Sequence, residues 1–255
     1  MMITIFIGNN STHLLGCEND AIMFYNLFEK LQINQPPQQS PQQSPQQTSQ
    51  QTSQQINNVT AQNKKFLLTG KQATTLNLEK IFRNNKSIEN LIIYFSGHGF
   101  FGGNLEFADK IVNALEIYEL INDIFINDLN IFFILDCCYS GSYPLIKNFQ
   151  RIKNVSILAS CKNNEKSSES LAIYNPQDFN FIKPNFTSYN SYFNLDKINS
   201  FNKEGNIIVG AFTYNLIKII KQNNLTNINN WFLIENEKIW KTLEKSINQK
   251  ITIIK

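Results

Sequence analysis

The chain has 255 residues, of which 42% are hydrophobic and 17% charged, with a formal net charge of +3. That length suffices for one large domain with a substantial core, and the thin charge, without a basic run or basic–aromatic patch, disfavours a nucleic-acid partner. Apolar runs are strand-sized, far short of the roughly 20 residues that span a bilayer, and MMITIFIGNN carries no charged leader or small-residue cleavage site, so no membrane partner is expected.

In chain order, ITIFIG (3–8) predicts a strand, 18–32 a helix, KFLLTG (65–70) a second strand and 75–85 a second helix. Between them, QPPQQSPQQSPQQTSQQTSQQ (35–55) cannot bury apolar surface, so residues 35–62 read as a disordered Gln/Pro/Ser-rich insert within one domain spanning 1–255. The pattern continues with strands NLIIYFSG (90–97), NIFFILD (130–136) and VSILAS (155–160), and a helix over 115–127. A long polar and aromatic stretch, 162–206, precedes helices at 210–221 and 230–247. Strands apolar on both faces and separated by helices imply an α/β sandwich: a mainly parallel sheet of about six strands between helix layers. The first core strand starts at Ile3, so no prodomain is expected ahead of it. A cytoplasmic location is the default, with the four cysteines as reduced thiols.

In open sheets of this kind, sites lie beyond the carboxyl ends of the strands. Two core strands run into YFSGHGF and DCCYSGS, so if they are neighbours His98 and two thiols emerge on one edge. A thiol becomes a nucleophile at neutral pH when a base favours the thiolate, and imidazole is the usual base. Only two histidines exist. His98 sits between glycines that let the backbone approach a substrate closely; His13, in the loop after the first strand, reads as polar surface, with a role as base its alternative. Among the acids, Asp20 reads as a helix-start carboxylate and Asp136 as either a strand-end or a functional one. Cys161 reads as a buried small hydrophobe, and CKNNEKSSES as a solvated loop rather than a self-cleavage site at Lys162 or Lys166.

YFSGHG followed 40 residues later (138 − 98) by the second cysteine of DCCYSGS resembles the caspase-like cysteine peptidases, most closely the metacaspases and paracaspases. LLGCENDA (14–21), LLTGKQAT (67–74), ILASCKNNEKSSES (157–170) and GAFTYNLIK (210–218) are similar to further metacaspase blocks in the same order. The resemblance implies a caspase-like three-layer sandwich, with Cys138 as nucleophile, His98 as general base and acid, and Cys137 as a spectator. It implies oxyanion donors on the backbone of Gly99 and Cys138, and a dyad without a third acidic group. It also implies a pocket formed by Cys17, Asp20, Ser96 and Asp136, whose carboxylates would take Arg or Lys before the scissile bond. Protein or peptide substrates and a monomeric enzyme follow from it.

Two departures stand out. Tyr139 occupies the place where metacaspases usually carry a His. Glu106, Asp109, Glu116, Glu119 and Asp123 are too scattered for a calcium site of six to eight oxygens, so no cofactor is expected and calcium activation stays unassigned. An inactive caspase-like scaffold that binds partners is the alternative to a working peptidase.

Overall fold

The computed structural model describes residues 1–11, 14–33, 63–125, 129–173, 206–223, 225 and 237–254. The expected insert at 35–62 and His13 lie outside these residues. The first half comprises β1 (Met2–Gly8), α1 (Cys17–Ile33), β2 (Lys64–Thr69), α2 (Thr75–Arg83) and β3 (Asn90–Ser96), then three short strands, β4 (Gly99–Phe100), β5 (Asn104–Glu106) and β6 (Ile111–Val112), and α3 (Ala114–Ile124). There follow β7 (Asn130–Asp136), α4 (Tyr143–Phe149), β8 (Val155–Ala159), β9 (Glu169–Ile173), β10 (Asn206–Gly210), α5 (Ala211–Gln222), α6 (Glu237–Ile247) and β11 (Thr252–Ile254).

Six strands form one sheet in the order β11-β8-β7-β3-β1-β2, parallel throughout except for the antiparallel β11 at one edge. Side chains alternate across the pleat, so each central strand feeds two cores. Ile93, Phe95, Phe133 and Leu135 face the layer of α2, α3 and α4, where the Phe133 and Phe149 rings stack at 4.0 Å. Ile92, Tyr94 and Ile134 face α1, α5 and α6, where Tyr94 stacks on Phe24 at 4.5 Å. Burial on both faces is why these strands read as continuous apolar runs, and the α/β sandwich expected from them is the fold observed.

Two small sheets escape the sequence pattern. Strands β4, β5 and β6 form an antiparallel three-stranded sheet directly after His98, and β9 pairs antiparallel with β10. Within the first, Asp109 accepts hydrogen bonds from the backbone N–H and hydroxyl of Thr75 at the start of α2. Glu116 closes a capping box with Asn113 at the start of α3. These acids therefore secure helix starts, and among the described residues no three His, Cys, Asp or Glu side chains assemble as a metal-binding group. No described helix is long and apolar enough to cross a membrane.

Candidate active site

Strands β3 and β7 are hydrogen-bonded neighbours, with Ser96 in register with Asp136. His98 and Cys138 each lie two residues past that pair, so the ring and the sulfur emerge at adjoining tips on the same sheet edge. The Gly97 N–H donates to the Asp136 carbonyl at 3.3 Å and ties the tips together. Beyond it, Gly99 packs so closely on the Cys138 carbonyl that a Cβ there would overlap it, and would sit 3.1 Å from Cys137 Sγ. Glycine at 99 is thus a requirement of this approach.

The half-buried His98 ring has its Nε2 2.7 Å from Ser11 Oγ, and that oxygen accepts the Leu14 N–H at 3.3 Å. A hydroxyl can donate to a neutral imidazole nitrogen or accept from an imidazolium N–H, so Ser11 supports the ring in both protonation states. Sequence reading misses this hydroxyl, because NNST reads as a solvated loop. Cys138 is half-buried, with Sγ 3.8 Å from the Ser167 carbonyl, and burial pushes its thiol above the ordinary range. Cys137 differs sharply. It is 2% exposed within the core on the α2–α4 face, where burial raises its thiol well above the ordinary value.

Cys17, Asp20, Ser96 and Asp136 all line one pocket beside Cys138, with about 260 Å³ of atom-free space. Asp20, in the first turn of α1, accepts from Ser96 Oγ at 2.8 Å and from the Gly210 N–H at 2.8 Å. Asp136 accepts from Ser167 Oγ at 2.6 Å and, through its other oxygen, from Thr213 N–H at 3.1 Å and Thr213 Oγ1 at 2.7 Å. Because the Thr213 hydroxyl gives its proton to Asp136, the buried Tyr94 hydroxyl donates to it at 2.5 Å. Gly210 separates the two acids: a Cβ there would overlap Asp136 Oδ2 and lie 2.8 Å from Asp20 Oδ2.

A third carboxylate lines the same pocket. Glu169, at the start of β9, accepts from the Leu15 and Gly16 N–H groups at 2.9 and 2.6 Å. It lies in CKNNEKSSES, whose composition reads as a solvated loop; Ser167 and Glu169 of that segment instead form a pocket wall. Among the described residues, no cation is ion-paired with any of the three acids.

Burial, reinforced by the Asp136 charge, pushes the Asp20 carboxyl well above its usual range. Burial raises Asp136 as well, although bonds from Ser167 and Thr213 restrain it. A carboxyl raised by folding binds its proton more tightly in the native state, so the stability it contributes is complete at low pH and is lost as pH rises through the raised values. The expected result is a melting temperature that falls as pH rises from the ordinary carboxylate range toward neutrality. Asp20→Asn should flatten that slope, which a series of thermal melts across pH checks; an unchanged slope would contradict the charge pairing.

Comparison with known proteins bears on the family and the fold. The sequence matches the profile described as the Peptidase C13 family over residues 18–223, well over half of the chain. Protein GSU0716 from Geobacter sulfurreducens has a similar structure, with a TM-score of 0.54 and 14% identity over 99% of this chain and 92% of that one, a likeness of fold. No curated protein matches the sequence. With a caspase-like sandwich and a profile match reaching from the first helix to the end of α5, the chain belongs to the peptidase C13 family of caspase-like cysteine peptidases.

Proposed function

We propose that the protein is a cysteine endopeptidase of the metacaspase-like kind, working through a Cys138–His98 dyad and cutting after Arg or Lys. The carrying observation is the pocket beside Cys138, in which Asp20, Asp136 and Glu169 converge without a described cationic partner. Carboxyls raised by burial, with the Asp136 charge adding to the rise at Asp20 and Glu169, form a receptor for a guanidinium or ammonium group, whose arrival returns them to the ionised state.

In the resting site the sulfur is a thiol, since burial raises it, so His98 removes the proton as Cys138 attacks the peptide carbonyl. A carbon–sulfur bond forms and the carbonyl oxygen becomes an oxyanion. Gly99 pairs with Leu105 next to a position where the Glu106 N–H donates to the His98 carbonyl, which in an antiparallel ladder turns the Gly99 N–H away from β5 and leaves it free to donate. The Cys138 N–H is the second donor. Collapse breaks the carbon–nitrogen bond, and the imidazolium, steadied by Ser11, gives its proton to the leaving amine. Water, deprotonated by the same ring, then hydrolyses the thioester. No step in this reading calls on a cofactor.

Gly99→Ala should lower kcat by about a hundredfold or more, because the added methyl displaces the Cys138 carbonyl and with it both oxyanion donors. Steady-state kinetics paired with a circular-dichroism melt separate this from global unfolding.

The raised Cys138 thiol also fits a second reading, an inactive caspase-like scaffold. Fluorogenic peptides ending in Arg, Lys, Asp, Asn or Leu, offered with and without calcium to wild type and Cys138→Ala, decide between them. Cleavage after Arg and Lys, absent in the variant, is expected; silence toward every peptide favours the scaffold.

A further inference from the structure

We infer that Phe101, with Phe100 and Tyr139, forms an aromatic shelf that receives an apolar side chain on the leaving-group side of the scissile bond. This inference rests on the peptidase reading and adds a second specificity element to it.

Phe101 is 76% exposed and Phe100 37%, whereas among the described residues the other phenylalanines lie mostly inside the two cores. The Phe101 ring meets the Tyr139 ring edge-on at 6.1 Å between centroids, and Phe100 lies 6.0 Å from the His98 imidazole. Exposed aromatics gathered beside a nucleophile and its base offer a contact surface rather than core packing. The backbone adds an independent sign. Tyr139 has a φ of 57°, in the left-handed region that a bulky side chain rarely adopts, and its N–H is held by the Glu165 carbonyl at 2.9 Å. A conformation of this cost directly after the nucleophile is kept where it aims a side chain, here toward Phe101.

The direction of the reaction fixes the occupant. The acidic pocket lies on the α1 and α5 side of the sheet, since Asp20 belongs to α1 and Asp136 binds Thr213 of α5. Strands β4 and β5 lie on the opposite side, where Leu105 joins the α2–α4 core and the turn at Gly103 packs on Leu145 of α4. A substrate whose basic side chain enters the pocket crosses the sheet edge at Cys138 and leaves over β4. His98 must stand beside the departing nitrogen to protonate it, so the residue carrying that nitrogen comes to rest on the imidazole's own side, against Phe100 and Phe101. No described charged side chain is ion-paired or hydrogen-bonded at this shelf, and its three rings favour Leu, Ile, Phe or Tyr there over Gly or an acid.

A random peptide library digested by wild type and by Phe101→Ala, with the cut sites sequenced, reads the two sides of the scissile bond separately. Phe101 is exposed, so the variant should fold and melt as wild type does. The expected result is Arg or Lys before the cut and roughly fivefold to tenfold enrichment of large apolar residues after it, the latter lost in Phe101→Ala and restored in Phe101→Leu. Apolar enrichment after the cut together with a non-basic residue before it would support the shelf and overturn the acidic-pocket reading. Basic residues before the cut with no apolar enrichment after it, or an enrichment that survives Phe101→Ala, overturns the shelf alone. Absence of cleavage at every sequence overturns the shelf together with the peptidase reading.

Discussion

Cys138→Ala is expected to reduce turnover of an Arg-ending peptide by at least about 10⁴-fold, because the other two thiols that line the pocket, Cys17 and Cys137, are buried and held well above the ordinary thiol value. Cys137→Ala makes the contrast. Although Cys137 also lines the pocket, it is buried against core side chains with its thiol raised well above the ordinary value, so the loss should fall on stability, on the order of 1 kcal/mol, with kcat close to wild type. His98→Ala should cost about 10³-fold, the ordinary contribution of a general acid–base group. Stopped-flow or steady-state kinetics on the three variants, with melts beside them, check the assignment. A Cys137→Ala enzyme as dead as Cys138→Ala would move the nucleophile by one residue.

Asp136→Asn and Asp20→Asn should each lower kcat/KM for Arg peptides by about a hundredfold, the scale of one lost charge-assisted bond in a desolvated site. Both variants should fold. In Asp20→Asn the new amide can donate to Ser96 Oγ and keep an oxygen for the Gly210 N–H, while in Asp136→Asn it can donate to Ser167 Oγ and keep an oxygen for Thr213. Near neutral pH, Asp20→Asn should melt higher than wild type, since it removes one of two repelling buried charges. Opposite signs for activity and stability distinguish a binding carboxylate from a merely structural one, for which both would fall.

The parallel core was legible because β1, β3, β7 and β8 are buried on both faces, which demands unbroken runs of Ile, Leu and Phe. Their adjacency was not written in those runs; it follows from the β3–β7 pairing, which brings His98 and Cys138 to one edge. Strands β4 to β6 went unseen because two or three residues carry no periodicity, and β9 and β10 because they begin or end in polar segments whose pairing is long-range. At the site, Asp20 and Asp136 stand in motifs and could be named. Glu169 and Ser11 could not, since SSES and NNS have the composition of a solvated loop and only tertiary contact turns them inward. The φ of Tyr139 leaves no trace in residue type.

The bonds that orient the two pocket aspartates come from Gly210 and Thr213, lying 190 residues from Asp20 and 77 from Asp136. During synthesis the strands carrying sulfur and imidazole leave the ribosome long before those partners do. If Cys138 and His98 act as proposed, a nascent chain halted before residue 210 would hold both groups yet lack the Gly210 and Thr213 bonds that orient the two aspartates. On the proposed reading, the receptor for a basic side chain is completed only when α5 docks.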